Sequence, residues 1–303
     1  MINRLKIAIL RGGGNFGERD ICLESGLVLS QNLSKEKYII SDVIISRDGN
    51  WYLNGVIIRP ENLFNKIDFV FNLFDESGKT QKILEHFKIP YCGADSLASA
   101  VSFNKNLSKK IFRDFSLKTP YGEILKKENY DENSALKIFR SIPLPLVVKP
   151  AKGNFLGETV NNLSDLKNEI EKAFNFSDVV LVEEFIRGRE VLCGVIDSFR
   201  KNKIYSFLPI EIDENFEKKF PPRLNKFEKE EVQKLAKLSH KILGLRHYSH
   251  SNFIISKRGI YILGTKSLPI FSRDSFLPLS LDSVGLSFGE FVEHLIFVAN
   301  KNT

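Results

Sequence analysis

The residues of this chain best suited to chemistry are a glycine-rich turn, two lysines and a run of glutamates. Gly12, Gly14 and Gly17 follow the strand-like run KIAIL (6–10) and precede a helical stretch from Glu18 to about Ser30. Glycines in that setting let backbone N–H groups approach an anion at a helix N-terminus. A dinucleotide-binding loop also needs an acid about 20 residues on, at the end of the second strand. Asp42 comes late and lies inside its strand, and Glu18 sets a carboxylate where a phosphate would want none. The loop therefore reads as a tight strand-to-helix turn. Lys149 ends the apolar run PLPLVVKP, where a lysine needs a partner; Lys105 is the second cation, in FNK. Glu183, Glu184 and Glu190 sit in VEEFIRGRE beside Arg187 and Arg189. Those carboxylates have two readings: a ligand site, or ion pairs with the arginines on a strand surface.

These residues must be positioned by a chain of 303 residues, 43% hydrophobic and 27% charged. At roughly 150 residues per domain, that length makes about two domains or three small ones. The apolar fraction excludes a disordered chain, a collagen-like repeat and a disulfide mini-protein. No window of about 18 uncharged apolar residues exists to cross a membrane, and MINRLKIAIL reads as a first strand rather than a signal peptide. Cys22, Cys92 and Cys193 are odd in number and far apart, which fits free thiols in a reducing cytoplasm. The net charge of +7 comes from scattered lysines with no basic block interleaved with aromatics, so nucleic acid is not an expected partner.

The first stretch alternates strands with helices: 6–10, 38–46 and 68–74 read as strands, and 79–88 as a helix. WYLNGVII (51–58) is a hairpin turning at Asn54-Gly55. That alternation implies a mostly parallel, doubly wound sheet. Helices around a few strands follow, including LSDLKNEIEKAF (163–174) with Ser164 as N-cap. From Val179 the chain becomes mainly β, with an amphipathic helix over 227–243 and a closing helix over 287–299.

Several segments, taken in order, resemble the D-alanine–D-alanine ligases of the ATP-grasp superfamily. RGGGNFGERDIC resembles that family's G-G-x-S-x-E-x-x-V-S, and ESGKTQKILEHFKIPYCG its G-E-D-G-x-x-Q…G-I-P-Y-x-G. SLASAVSFNKNLSKKIF, LPLVVKPAKGN, VLVEEFIRGREVLCGVI and SLPIFSRDSFLP resemble S-x-x-A-S-A-x-x-M-D-K, F-P-x-x-V-K-P, V-E-E-F-I-x-G-R-E-x-x-x-G-V and T-x-P-G-M-T-x-x-S-x-x-P. The matches span nearly the whole chain. The resemblance implies an α/β ATP-grasp fold: an N-terminal doubly wound parallel-sheet lobe over 1–94, then two α+β lobes, 95–178 and 179–303, that sandwich the nucleotide. It implies ATP-driven ligation through an acyl phosphate, with D-alanine or a similar amino acid as substrate, for peptidoglycan precursors in the cytoplasm. A homodimer is common in the family.

The resemblance also assigns roles. Lys105 and Lys149 would cradle the ATP phosphates. Glu183, Glu184, Phe185 and Ile186 would line the adenine pocket, and Glu190 would hold the ribose. Glu18 would anchor the ammonium of the first D-alanine. Lys219, in a mobile loop, could reach the carboxylate of the second, with Ser275 as its partner. The family's two magnesium ions are held by an Asp in R-x-D and by a Glu and an Asn in E-x-N. Here those strands read His250-Ser251-Asn252 and Gly264-Thr265-Lys266. His250 stands for the arginine, Asn252 for the aspartate, Gly264 for the glutamate and Lys266 for the asparagine. No metal site is expected from Asn252, Gly264 and Lys266. Ile270 replaces an oxyanion-side glycine, Phe220 replaces a tyrosine, and the loop 152–157 lacks the family's serines. Two functions follow: a divergent ligase with Lys266 supplying charge at the phosphates, or a pseudoenzyme that keeps the fold to bind a nucleotide or a partner.

Overall fold

The computed structural model describes residues 4–13, 16–153, 157–213, 215, 217–268 and 270–301, and of residues 16–18 and 64 the backbone only. Its first part runs β1 (Leu5–Gly12), α1 (Phe16–Asn32), β2 (Tyr38–Ile45), β3 (Trp51–Leu53), β4 (Val56–Ile58), α2 (Pro60–Phe64), β5 (Phe69–Asn72), α3 (Lys79–His86) and β6 (Tyr91–Cys92). These strands form a sheet in the order β4-β3-β2-β1-β5-β6. The pairs β2–β1, β1–β5 and β5–β6 are parallel. The antiparallel hairpin β3–β4 forms the edge, turning on Asn54 and Gly55 at positive φ as the Asn-Gly pair predicts. Gly12 ends β1 at φ +106°, and a Cβ there would fall 2.3 Å from the Ile45 carbonyl oxygen. This first glycine of the loop thus serves the close approach of β1 to β2. Gly14 lies outside the described residues.

The middle stretch runs α4 (Ser96–Phe103), α5 (Lys105–Asp114), β7 (Gly122–Lys126), α6 (Glu132–Ser141), β8 (Leu146–Pro150), β9 (Glu158–Val160), α7 (Leu163–Ala173) and β10 (Val179–Glu184). Its sheet has the order β7-β10-β8-β9, antiparallel throughout. The expected lobe boundary at 178/179 precedes β10, yet β10 is the strand that joins β7 to β8. The N-cap of α7 is Asn162, not Ser164: the Asn162 side chain accepts from the Asp165 N–H at 2.9 Å. Asparagine at that position is as good a cap as serine, and the helix starts two residues earlier than a Ser164 cap would allow.

The last stretch runs β11 (Arg189–Phe199), β12 (Asn202–Ser206), β13 (Ile210–Ile212), β14 (Lys218–Lys219), α8 (Lys226–Ile242), β15 (Tyr248–Ser256), β16 (Gly259–Lys266), α9 (Leu277–Asp282) and α10 (Phe288–Lys301). The third sheet follows β14-β13-β11-β15-β16, with β12 on β11. Helix α10 returns to the first sheet. Phe291, Val292 and Leu295 share one apolar core with Ile7, Phe69 and Phe71 of the first sheet and Leu192, Ile196 and Tyr248 of the third. That burial rigidly joins the ends of the chain. Cys22, Cys92 and Cys193 are buried free thiols. Among the described residues no helix is long and apolar enough to cross a membrane.

Candidate nucleotide cleft

The second and third sheets face each other across a cleft of about 550 Å³. Lys105 enters it from the start of α5. The Asn104 side chain caps that helix by accepting from the Asn106 and Leu107 N–H groups, and the Lys105 N–H donates to the Ala151 carbonyl at 2.8 Å. The Lys105 ammonium itself donates to the Gly153 carbonyl. Burial, then the positive charges of Lys149 and Lys266, push that ammonium down to about 8. Lys105, Lys149 and Lys266 therefore converge on one end of the cleft.

Lys149 sits on β8 and Glu183 faces it from β10, where Leu181 rather than Glu183 is its register partner. The Lys149 ammonium lies 2.6 Å from one Glu183 oxygen, and the Lys109 ammonium donates to the other. Lys109, Glu183 and Lys149 are 1%, 2% and 8% exposed. Burial opposes ionisation of Glu183, but Lys149 and Lys109 outweigh it and hold the carboxyl below its ordinary value. Lys109 is pushed down by burial and by Lys149, while Glu183 opposes that shift. The partner that Lys149 requires within the protein is thus Glu183. The arginines are not the partners of these carboxylates: Glu184 pairs with Arg258 at 2.8 Å and accepts from the Tyr121 N–H, while Arg189 pairs with Glu228 at 2.6 Å. Lys109 was not legible as a site residue, although it lies one helical turn from Lys105 on α5, a spacing that puts both on one face.

At the other end, Phe185 and Ile186 form the connection from β10 to β11. The Phe185 N–H donates to the Pro145 carbonyl at 2.9 Å, Ile186 is buried, and both line the cleft with Glu190. Glu190, on β11, is raised above its ordinary value by burial alone, with no lysine contribution. The cleft is therefore polarised, cationic near β16 and acidic with an apolar wall near the connection.

The third wall is β15 against β16. Asn252 pairs with Gly264 and His250 with Lys266, with a bulge between Asn252 and Phe253. Asn252, Gly264 and Lys266 all line the cleft. A Cβ built on Gly264 meets nothing within 4 Å. Behind them, the Ser251 hydroxyl is 2.8 Å from both the Ser239 and Thr265 hydroxyls, fixing the two strands. His250 is buried against Phe276, with ring centroids 4.8 Å apart and no partner for its Nδ1 among the described residues. Burial, with the Lys266 charge beside it, pushes its imidazole down to about 3, so it is neutral and does not stand in for a guanidinium.

Two of the remaining expected residues do not line the cleft. Lys219 pairs with Asp213 at 2.7 Å and does not line the cleft. Ser275 does not line the cleft either; its buried hydroxyl has no partner among the described residues and its N–H donates to the Ser272 carbonyl. The structure shows no contact between Lys219 and Ser275. The side chain of Glu18, on α1, lies outside the described residues, as does Pro269. Glu76, which carries no expected role, lines the cleft and accepts from the Leu268 N–H at 3.3 Å.

A family model described as the D-ala D-ala ligase C-terminus matches residues 111–297, more than half of the chain. The chain belongs to the D-alanine–D-alanine ligase family. Among its relatives, the D-alanine–D-alanine ligase of Pelobacter propionicus is 31% identical over 312 residues, covering 99% of this chain and 97% of the relative. The fold is that of the ligase from Coxiella burnetii, with a TM-score of 0.87 over 99% of this chain and 94% of that one at 22% identity. A Bacillus anthracis ligase solved with ATP superposes with a TM-score of 0.83 at 25% identity, covering 98% of each chain. Membership brings with it the ATP-grasp architecture.

Proposed function

We propose that this chain is an ATP-binding ATP-grasp module that retains the nucleotide cleft of its family and does not carry out two-metal ligation of D-alanine. The observation that carries the reading is the polarised cleft, with Lys105 and Lys149 at one end and Glu190 beside Ile186 at the other. A nucleotide enclosed between the lobes 95–184 and 185–303 sets its phosphates at the lysines, its ribose at Glu190 and its base along Phe185 and Ile186. Two ammonium groups suit a polyphosphate as point charges. Glu183 acts as the counter-ion that fixes Lys149.

The residues in the family's magnesium positions do not fit that ion. Magnesium demands octahedral, hard and mostly anionic oxygen ligands. Asn252 offers one neutral oxygen, Gly264 none, and Lys266 an ammonium. A unit charge about 4 Å from a divalent cation of the same sign costs roughly 8 kcal/mol at an effective dielectric of about 20. The neutral His250 removes a further cation from the phosphates. A working ligase would need Lys266 to replace the metal, and an ammonium neutralises charge but does not template two oxygens as a Lewis acid.

The test is calorimetric titration of the protein with ATP. Binding is expected, and Lys105→Met is expected to weaken it by about tenfold or more, a loss of roughly 1.4 kcal/mol. Lys105 is the apt site because, among the described residues, its ammonium donates only to the Gly153 carbonyl. Folded wild-type protein that fails to bind ATP refutes the reading.

A further inference from the structure

We infer that this cleft takes the polyphosphate of ATP in its metal-free form, with the Lys266 ammonium occupying the place of a divalent cation. The inference rests on the nucleotide reading above and specifies which ionic form of the ligand the site selects. Three observations carry it. The first is the donor set. Among the described residues no three His, Cys, Asp or Glu side chains converge to hold a metal ion. Asn252, Gly264 and Lys266 share the wall of β15 and β16, so the substitutions sit together at one point of the cleft rather than scattered over the molecule.

The second is where positive charge is left over. Glu183 already neutralises one of its two lysines, Lys109 and Lys149, leaving that group with a single net positive charge. Among the described residues the Lys105 ammonium donates to a backbone carbonyl only, and Lys266 has no ion pair. The charges of Lys149 and Lys266 both reach Lys105. Lys105 is thus repelled by both other lysines in a space that all three line, and a bound polyphosphate relieves that repulsion. Glu76 and Glu183 are the acids that oppose it at Lys105, and Glu158 also lines the cleft; Glu184 is paired with Arg258, and Glu190 is at the far end.

The third is room. A Cβ on Gly264 would meet nothing within 4 Å among the described residues, so none of them fills the place of the missing side chain. The space left is available to phosphate oxygens. A magnesium ion on those oxygens would sit against Lys266, so magnesium competes with the protein for the nucleotide.

The test is ATP affinity in EDTA and in excess magnesium, on wild type and two variants, with thermal melts to show that each is folded. Wild type is expected to bind ATP in EDTA at least about as tightly as in magnesium. Lys266→Asn is expected to lose about tenfold or more in EDTA, and Lys266→Arg to keep most of the affinity. The variant N252D/G264E/K266N is expected to bind ATP more tightly with magnesium than without. Wild type that binds ATP only with magnesium overturns this inference and leaves the nucleotide reading standing. Lys266→Asn that is folded and binds ATP in EDTA as wild type does overturns it as well. No ATP binding in either condition removes the nucleotide reading and this inference with it.

Discussion

Two lysines share Glu183, and that arrangement explains how ammonium groups are held inside a β-sheet wall. Removing one partner of a buried ion pair is costly because the other charge is stranded; with three members, loss of either lysine still leaves the carboxylate paired. His250 is the opposite case, a buried base with no acid beside it. Its folded value of about 3 lies below the ordinary 6.5, so between those values the unfolded chain binds a proton that the folded chain does not. Stability therefore rises with pH through that window and falls as pH drops below about 6.5. His250 alone is expected to cost about 2 kcal/mol between pH 7 and pH 5. Urea unfolding at the two pH values should show the loss, and His250→Phe, which keeps the contact with Phe276, should show correspondingly less. His247, pushed down to about 4, contributes a separate part that the variant leaves intact. The site residues that were legible in the sequence were those that end apolar strands, Lys149 above all, because an ammonium there demands a partner. The identity of that partner was not, since Glu183 reaches it from another strand and Lys109 from a helix.

At the scale of elements, periodicity and turn chemistry located nearly every strand and helix of the first part of the chain, and Asn54-Gly55 its hairpin. What sequence pattern could not fix were caps and sheet membership. Asn162 and Ser164 are both capping residues two positions apart, and only the observed hydrogen bond to Asp165 chooses between them. Asn162→Ala is expected to cost about 1 kcal/mol in chemical denaturation and Ser164→Ala only a few tenths. Equal losses would show that the cap contributes nothing special. β10 illustrates the second limit: its apolar pattern suits any buried strand, and only pairing with β7 and β8 assigns it to the second sheet. The connection that follows it, 185–188, carries the chain from one wall of the cleft to the other, which is why Phe185, Ile186 and Glu190 line it together. The bulge in β15–β16 likewise follows from pairing and is invisible to alternation alone.

For the molecule as a whole, the excess of positive charge is dispersed along the sequence, and the three lysines that line the cleft share it with Glu76, Glu158, Glu183, Glu184 and Glu190. Helix α10 closes the chain onto the first sheet, so the first and third sheets share a core and the cleft is built on a rigid base. On the nucleotide reading proposed above, such a scaffold keeps the pocket because its walls are also structural: Glu183 and Lys149 are buried members of the second sheet. Gly264, by contrast, faces open space among the described residues. The most direct measurement is mass spectrometry of the purified protein incubated with ATP, magnesium and D-alanine, read for ADP and for D-alanyl-D-alanine. Neither product is expected above the protein-free control, from protein that binds ATP and melts as a folded chain. Dipeptide formed in step with ADP would contradict the account and make the cleft that of a working ligase.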